Sequence, residues 1–272
     1  MYARSRGGRI ALAAALALVA STFVAPASAQ RRERNANLPP AGPAPRLAEG
    51  RVLLGGATAA DKGVWIPRFG VTEPIAPLAQ VPFQPWAKAL YDARQIHEFE
   101  PHARCKASGG ARQFLTPYGV EFVELAEIER VFIFDIGGPH TFRTIYMDGR
   151  PHPSDPEPTY YGHSIGWWEG STLVVDTTGF NESFWLDRRG LPHTTKLHTI
   201  ERFMRIDAET IVYSITVDDP GAYTAPFTGG FNLGWDDGIE LFEYVCQQSN
   251  YAPELMVGEE RSSVDRSSPI VP

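Results

Sequence analysis

The second half of the chain consists of short runs of strand-forming residues separated by turn signals. From about residue 112 these runs are rich in Val, Ile, Phe, Tyr and Thr, and Gly, Asp and Asn recur between them. Many short strands at close intervals are typical of antiparallel sandwiches and barrels rather than of βαβ units. We therefore expect an all-β, mainly antiparallel domain, a barrel or a closed sandwich, over residues 85–257.

The first residues have the pattern of an export signal. Residues 1–29 combine three arginines, a short apolar run and a closing Ala-Ser-Ala. This order is typical of a cleaved signal peptide, and the apolar run is too short for a stable membrane span. We expect cleavage near Ala29/Gln30 and a periplasmic or secreted protein without a membrane anchor.

The segments that flank the β-rich region have different compositions. Residues 30–84 are rich in Pro, Ala and Gly and lack periodicity, which predicts an extended arm. Residues 85–100 begin with Pro85 and carry Ala89, Leu90 and Ala93 at helical spacing, which predicts one short helix. The polar residues 258–272 are predicted to be a disordered tail.

The charge of the chain excludes some partners. Removal of residues 1–29 removes three arginines and no acid, so the formal net charge of −7 becomes −10. An acidic chain without a basic stripe is a poor match to nucleic acids or to anionic membrane surfaces. We therefore expect a small-molecule substrate or ligand; the sequence does not indicate an oligomeric state.

The chain contains two cysteines, Cys105 and Cys246. In an oxidising compartment an isolated pair usually forms a disulfide. The alternative is a catalytic thiol, but neither cysteine has an activating motif nearby. We expect the disulfide.

The stretch YGHSIGWWEGSTLVVDTTGFN, residues 161–181, has the pattern of a polar hairpin. A two-residue turn at Glu169-Gly170 would place His163 directly opposite Asp176. A carboxylate beside an imidazole orients the ring and raises its pKa. A general base needs this arrangement of side chains. The alternative is a structural pair whose members only satisfy each other.

A second hairpin is predicted in ERFMRIDAETIVYSI. A turn over residues 207–210 would pair Ile206 with Ile211 and place His198 and Arg202 on the core side with Tyr213. A buried arginine needs a partner, so Arg202 would either form an ion pair or face a polar cavity.

Two connections carry further candidates. In residues 140–153, His140 and Asp148 flank a strand that has Arg143 on its other face, and Arg150 and His152 follow in a Pro-rich loop. Residues 179–198 form a connection that is too long for a simple turn, and such connections often serve as lids or site walls.

No cofactor is predicted from motifs. Five of the seven histidines lie between positions 140 and 198, which would suit a His-ligated zinc or iron ion. However, the chain lacks HExxH, CxxC, G-x-S-x-G, P-loop and Rossmann patterns. A His-ligated metalloenzyme is therefore an alternative only.

Several long runs, among them CKASGGARQFLTPYG, YYGHSIGWWEGSTLVVDTTGFN and VDDPGAYTAPF, resemble a family of exported bacterial proteins that are described only as hypothetical. This resemblance covers about residues 80–250 and implies export and a β-rich body, but no activity. The paired strands around Trp168-Glu169-Gly170 and the later hairpin also resemble lipocalin-type (calycin) barrels, which implies a closed antiparallel barrel. Fold alone does not give function.

We expect a secreted enzyme that acts on a small sugar-like or aromatic substrate by acid–base chemistry, as a lyase, isomerase or hydrolase. A lipocalin-type periplasmic carrier is the alternative of a different class. The candidate catalytic residues are His163, Asp176, Arg202, Arg143 and His193. The candidate substrate-binding residues are Trp167, Tyr161, Trp185, Asn181, His198, Asp148 and His140.

Overall fold

The computed structural model describes residues 41–58, 60–68, 74–97, 100–137 and 139–246. Nine strands, numbered β1 to β9 in chain order, form a closed barrel, which confirms the all-β prediction. The strands are Gly63–Pro67, Val120–Leu125, Arg130–Asp135, Phe142–Tyr146, His163–Glu169, Thr172–Thr178, His198–Arg205, Thr210–Asp218 and Phe227–Asp237.

The barrel is closed by β1, which comes from the segment that the sequence assigns to an extended arm. Its five residues pair with β9 from Gly63↔Asp237 to Pro67↔Leu233, and Trp65 also pairs with Val120 of β2. The prediction of an arm is therefore wrong for Gly63–Pro67. Such short strands between Pro-rich neighbours show little periodicity.

In the described part of the chain, one α-helix, α1 (Pro85–His97), lies outside the barrel where a helix is predicted. Its buried residues are Ala87 and Tyr91, whereas Ala89 and Ala93, which the sequence analysis placed on the apolar face, are exposed. No helix in the described part of the chain is long and apolar enough to cross a membrane. The predicted signal peptide and C-terminal tail lie outside the described residues.

Cys105 and Cys246 form the predicted disulfide. The bond connects a short 3₁₀ turn, Pro101–Arg104, to the segment that follows β9. It spans 141 positions of sequence, so it closes a loop that contains most of the barrel strands.

The first hairpin has a different register from the predicted one. Its turn is at Gly170-Ser171, where Gly170 has a φ of +60°, and Glu169 pairs with Thr172. His163 therefore pairs with Thr178, two positions beyond Asp176. A shift of two residues keeps every side chain on its predicted face, so both groups still lie on the outer face of the barrel.

The second hairpin differs by one residue, which reverses the faces of β7, whereas Tyr213 of β8 is buried as predicted. Arg205, rather than Ile206, pairs with Ile211. A one-residue shift moves each side chain to the other side of the sheet. Arg202 and His198 therefore face outward, and the buried positions of β7 are taken by Glu201 and its alternate neighbours.

Aromatic side chains occupy the interior of the barrel. Phe114, at the end of the 3₁₀ helix Gly110–Phe114, has its ring 5.3 Å from Phe203 and 5.0 Å from Tyr213. Phe122 lies 5.3 Å from Phe203, and all four rings are buried. The 3₁₀ helix thus inserts a side chain among residues from β2, β7 and β8.

A polar network also lies on the inner side of the barrel, between β4, β5, β6, β7 and β8. Arg143 of β4 forms an ion pair with Glu201 of β7, and the side chain of each is only 1% exposed. The guanidinium also donates to Ser164 Oγ at 2.9 Å and to Thr177 Oγ1 at 2.6 Å, and Tyr213 donates to Glu201 Oε1 at 2.9 Å. Buried charges require such pairing and hydrogen bonding. The buried ion pair that the sequence analysis considered for Arg202 is therefore made by Arg143.

We expect Arg143→Met to lower the free energy of unfolding by about 3–5 kcal/mol, because it leaves the carboxylate of Glu201 buried without its partner. Arg202→Met is the matched control: Arg202 pairs with Glu169 on the outer face, and its side chain is 43% exposed. Loss of this exposed pair should cost far less, because solvent screens the attraction between exposed charges. Urea unfolding measures both variants, and equal losses would contradict the assignment of inner and outer faces.

We expect the double variant Cys105→Ser/Cys246→Ser to be about 4–5 kcal/mol less stable than the oxidised protein, because the unfolded chain loses the constraint of a long closed loop. Urea unfolding of both proteins gives the difference. A loss below about 1 kcal/mol would show that the unfolded chain gains little freedom when the bond is removed.

Candidate functional site

A cleft opens in the barrel wall between β4 and β5. These two strands are parallel and pair at only two positions, Ile145↔Ser164 and Tyr146↔Ile165. Before this contact the strands diverge, and the gap has a volume of about 350 Å³. This is near the lower end of the range for small-molecule sites. The lining residues are Ala107, Thr141, Phe142, Arg143, Thr144, Tyr146, Thr159, Tyr160, Tyr161, Gly162 and His163.

The parallel pairing also determines the path of the chain between the two strands. Residues 147–162 must return from the end of β4 to the start of β5. This connection brings His152 to the outer face beside His163. Gly162, with a φ of +63°, ends it; a Cβ there would meet the carbonyl oxygen of Thr178 at 2.4 Å. Glycine thus allows the chain to enter β5 close to β6.

Three histidines and one aspartate form a connected cluster on this outer face. His152 Nε2 lies 3.0 Å from Asp176 Oδ1, and His198 Nε2 lies 2.8 Å from the same oxygen. The other nitrogen of His152, Nδ1, lies 2.9 Å from His163 Nδ1. His163 and Asp176 are therefore connected through His152 rather than in direct contact.

These contacts determine which nitrogen of each neutral ring carries hydrogen. A carboxylate only accepts, so His152 Nε2 carries hydrogen and His152 Nδ1 has a lone pair. His163 must then donate from Nδ1, which leaves the lone pair of its Nε2 without a hydrogen-bond partner among the described residues. The relay from Asp176 through His152 thus presents a basic nitrogen on a residue that lines the cleft.

The pKa values of the cluster differ in direction. Partial burial, together with the charges of His152 and Arg150, lowers the pKa of His163 below its ordinary 6.5, so the ring is neutral at pH 7. The hydrogen bond to Asp176 raises the pKa of His198. Burial acts to raise the pKa of Asp176, but the hydrogen bonds from His198 and His152 lower it overall.

A second group of side chains holds the ring of His163 from the β4 side. Its ring stacks on Tyr146 with centroids 5.1 Å apart. The guanidinium of Arg150 lies over the ring of Tyr146, 4.0 Å from its centroid. Arg150 also forms an ion pair with Asp148. Asp148, a predicted binding residue, therefore contacts Arg150 rather than the ring of His163, and its charge acts to raise the pKa of His163.

Two predicted residues lie at the far end of the outer face. Trp167 donates from its indole nitrogen to Glu169 at 3.0 Å, and Arg202 forms an ion pair with the same carboxylate. Glu169 ends β5, whereas His163 begins it, so six residues of strand, about 20 Å, separate them. The prediction that Arg202 lies on the core side is wrong, because the register of β7 places it outside, where it forms an ion pair with Glu169.

Other predicted residues make local structural contacts. His193 is buried, and its Nε2 and Nδ1 lie 3.1 Å from the carbonyl of Phe184 and 3.4 Å from that of Thr194. Trp185 lies beneath the guanidinium of Arg94. The side-chain oxygen of Asn181 accepts from the Ser183 amide, and His140 Nε2 accepts from the Tyr244 amide. None of these described contacts joins the His163 cluster.

A larger cavity, of about 650 Å³, lies between residues 53–63, β2 and residues 239–241. It contains no histidine, and two of its carboxylates are in ion pairs, Glu124 with Arg51 and Glu240 with Lys62. A search of the described residues finds no group of three or more His, Cys, Asp or Glu arranged to hold a metal ion. We therefore place the candidate site at the cleft of His163, where a basic group is available.

Comparisons with protein families, with curated proteins and with solved structures find no match to this chain. The function must therefore be argued from the geometry of the cleft and of the residues around it.

The sequence analysis named His152 only as a loop residue and did not predict its central position in the cluster. His152 lies in a Pro-rich loop without periodicity, and only the parallel pairing of β4 and β5 brings it to β6. The signal that could have identified His152 is its closeness in space to the strand histidines His163 and His198. That closeness can be predicted only if the parallel pairing of β4 with β5 is already known.

We expect NMR titration of the histidine side chains to give a pKa above 6.5 for His198 and below 6.5 for His163, as the contacts of each ring require. Asp176→Asn should lower the pKa of His198, because the carboxylate charge that stabilises the imidazolium is lost. Asp155→Asn, an exposed change in the neighbouring loop, is the control and should leave both values unchanged. An unchanged His198 in Asp176→Asn would contradict the cluster.

Proposed function

We propose that the protein is an enzyme that acts by acid–base chemistry on a small sugar-like or aromatic substrate in the cleft between β4 and β5. Its reaction is that of a hydrolase, lyase or isomerase, with His163 as the general base. The observation that carries this proposal is the relay from Asp176 through His152, which leaves His163 Nε2 with a free lone pair.

The electrostatics of the relay suit a general base that works near neutral pH. The lowered pKa of His163 keeps the ring neutral and able to accept a proton at pH 7. When the ring accepts that proton, its Nδ1 hydrogen faces His152, whose other nitrogen faces the carboxylate of Asp176. The negative charge thus stabilises the imidazolium at a distance, as a positioned carboxylate does in catalytic triads.

The walls of the cleft support a flat or ring-shaped substrate. Four aromatic residues, Phe142, Tyr146, Tyr160 and Tyr161, line it together with three threonines. Aromatic faces with a few convergent hydroxyl groups suit sugar rings and aromatic rings. Phe142 is 55% exposed, so one wall is open to an incoming ligand.

The packing of the barrel interior favours a ligand site in the cleft over the interior site of a lipocalin-type carrier. Such carriers hold the ligand inside the barrel. Here Phe114, Phe122, Phe203 and Tyr213 pack against one another in the interior, and the Arg143–Glu201 pair fills part of the adjacent wall. A ligand would have to displace these side chains, whereas the cleft outside the wall is open.

The proposed location is the periplasm or the extracellular medium, after removal of the signal peptide. The disulfide supports this proposal, because structural disulfides persist in oxidising compartments. A His-ligated zinc or iron enzyme is the alternative chemistry. It predicts stoichiometric metal in the purified protein and loss of turnover with chelators.

The test is a panel of 4-nitrophenyl glycosides and 4-nitrophenyl esters assayed with purified wild type, His163→Ala and Thr216→Ala. We expect His163→Ala to lower kcat by 10²–10⁴-fold with little change in KM, because it removes the base and leaves the aromatic walls of the cleft. Thr216→Ala changes the outer face of β8 and should keep wild-type turnover. Full activity of His163→Ala would contradict the proposal, and saturable binding without turnover by any protein would favour the carrier.

A further inference from the structure

A buried acid that is not part of the His163 relay lies beside the same cleft. Asp135 ends β3, and its carboxyl group accepts hydrogen bonds from the Gly137 amide at 3.0 Å, from Ser108 Oγ at 3.1 Å and from the Tyr161 hydroxyl at 3.3 Å. The residue is 3% exposed. Neither the barrel core nor the proposed base accounts for a buried carboxyl at this position.

A chain of hydroxyl groups connects this acid to the cleft. The Tyr161 hydroxyl lies 2.7 Å from Thr141 Oγ1, and both residues line the cleft together with His163. Tyr161 is buried, whereas Thr141 is only half-buried. Thr141 is therefore the member of the chain that is open to a ligand.

The hydrogen bonds determine where a proton on Asp135 would lie. The Gly137 amide can only donate, so Oδ1 is an acceptor. The acidic hydrogen therefore belongs to Oδ2, which faces two hydroxyl groups that can accept it, those of Ser108 and Tyr161. The protonated carboxyl is thus aligned with the chain that leads to Thr141.

The surroundings keep this proton available near neutrality. Burial raises the pKa of Asp135 to about 7, although the hydrogen bonds from Gly137, Ser108 and Tyr161 and the charge of Arg112 act in the opposite direction. Arg112 is itself ion-paired with Glu100. The neighbouring His102, whose Nδ1 lies 3.0 Å from Ser108 Oγ, has its pKa lowered to about 4 by burial and by Arg112, so it adds no positive charge.

We propose that Asp135, Tyr161 and Thr141 form a proton relay that supplies the substrate with a proton opposite the base His163. This inference rests on the proposed function of the cleft. Thr141 is the catalytic residue, since its hydroxyl touches the substrate; Tyr161 and Asp135 are positioning residues that act through it.

The proton balance of a hydrolytic turnover is complete with these groups. His163 Nε2 accepts one proton from a water molecule, whose oxygen forms the new bond to the substrate. The bond to the leaving oxygen breaks, and that oxygen takes the proton of Thr141. Thr141 is reprotonated by Tyr161, and Tyr161 by Asp135. The proton on His163 returns through solvent to the Asp135 carboxylate.

The relay narrows the substrate class. A base and a proton donor in one cleft suit a bond to an oxygen leaving group that must be protonated as it departs. Glycosides, esters and ethers with a ring that fits the aromatic walls have this chemistry. An elimination uses the same pair, with His163 taking a carbon-bound proton instead of a proton from water.

The first measurement needs no substrate. In ¹³C-labelled full-length protein, we expect the Asp135 carboxyl resonance to titrate near pH 7 and the Cζ resonance of Tyr161 to follow with the same midpoint. Thr141→Val should leave the Asp135 midpoint near 7. Titration of Asp135 in the ordinary acidic range, or a Tyr161 resonance that does not follow it, would overturn the relay whether or not a substrate is known.

The second measurement is the pH profile of kcat/KM on any substrate that the nitrophenyl panel identifies. The relay needs protonated Asp135, so wild-type activity should fall as pH rises through about 7. In Tyr161→Phe and Asp135→Asn, kcat/KM should be at least tenfold lower than in the wild type. It should also no longer fall as pH rises through about 7; we call this fall the alkaline limb. Tyr118→Phe, a tyrosine that contacts Phe242 and Tyr244 instead, should keep the wild-type profile.

The two proposals fail in different ways. If His163→Ala is inactive but Tyr161→Phe and Asp135→Asn keep the alkaline limb, the relay is wrong and the base stands. If His163→Ala is active and the two relay variants lose the limb, the base is wrong and the relay stands.

Discussion

The parallel pairing of β4 with β5 is the constraint on which the candidate site depends. In a barrel whose other strand pairs are antiparallel, these two strands meet at only two positions. Their divergence leaves a gap in the wall, and the connection of residues 147–162 must cross the outer face to return. The same feature therefore forms the cleft and brings His152 between His163 and Asp176.

The wall beside the gap is stabilised from within by the Arg143–Glu201 pair. Arg143 belongs to β4 and its hydrogen bonds reach β5 and β6, so one guanidinium holds together the strands that diverge. β4 and β5 make few ladder hydrogen bonds, and this side-chain network links β4 to β5, β6 and β7 instead.

The sequence predicted the elements better than it predicted their pairing. The barrel, the helix at Pro85 and the disulfide follow from periodicity, from a first-turn proline and from cysteine count. His163 and Asp176 were correctly placed on one face, since a shift of two residues preserves faces. Arg202 was placed on the wrong face, because the three-residue loop after Ile206 shifts the pairing of β7 with β8 by one residue. The contacts of His152 and Asp135 arise from distant segments and leave no periodic signal.

The central claim is that His163 presents a free basic nitrogen at the cleft while both nitrogens of His152 are occupied. Modification by diethyl pyrocarbonate at pH 6.5, followed by peptide mass spectrometry, tests this directly, because the reagent reacts with an unprotonated, accessible imidazole nitrogen. The account predicts that His163 is modified rapidly and His152 slowly, and that Asp176→Asn accelerates the reaction of His152. Rapid modification of His152 with protection of His163 in the wild type would contradict it.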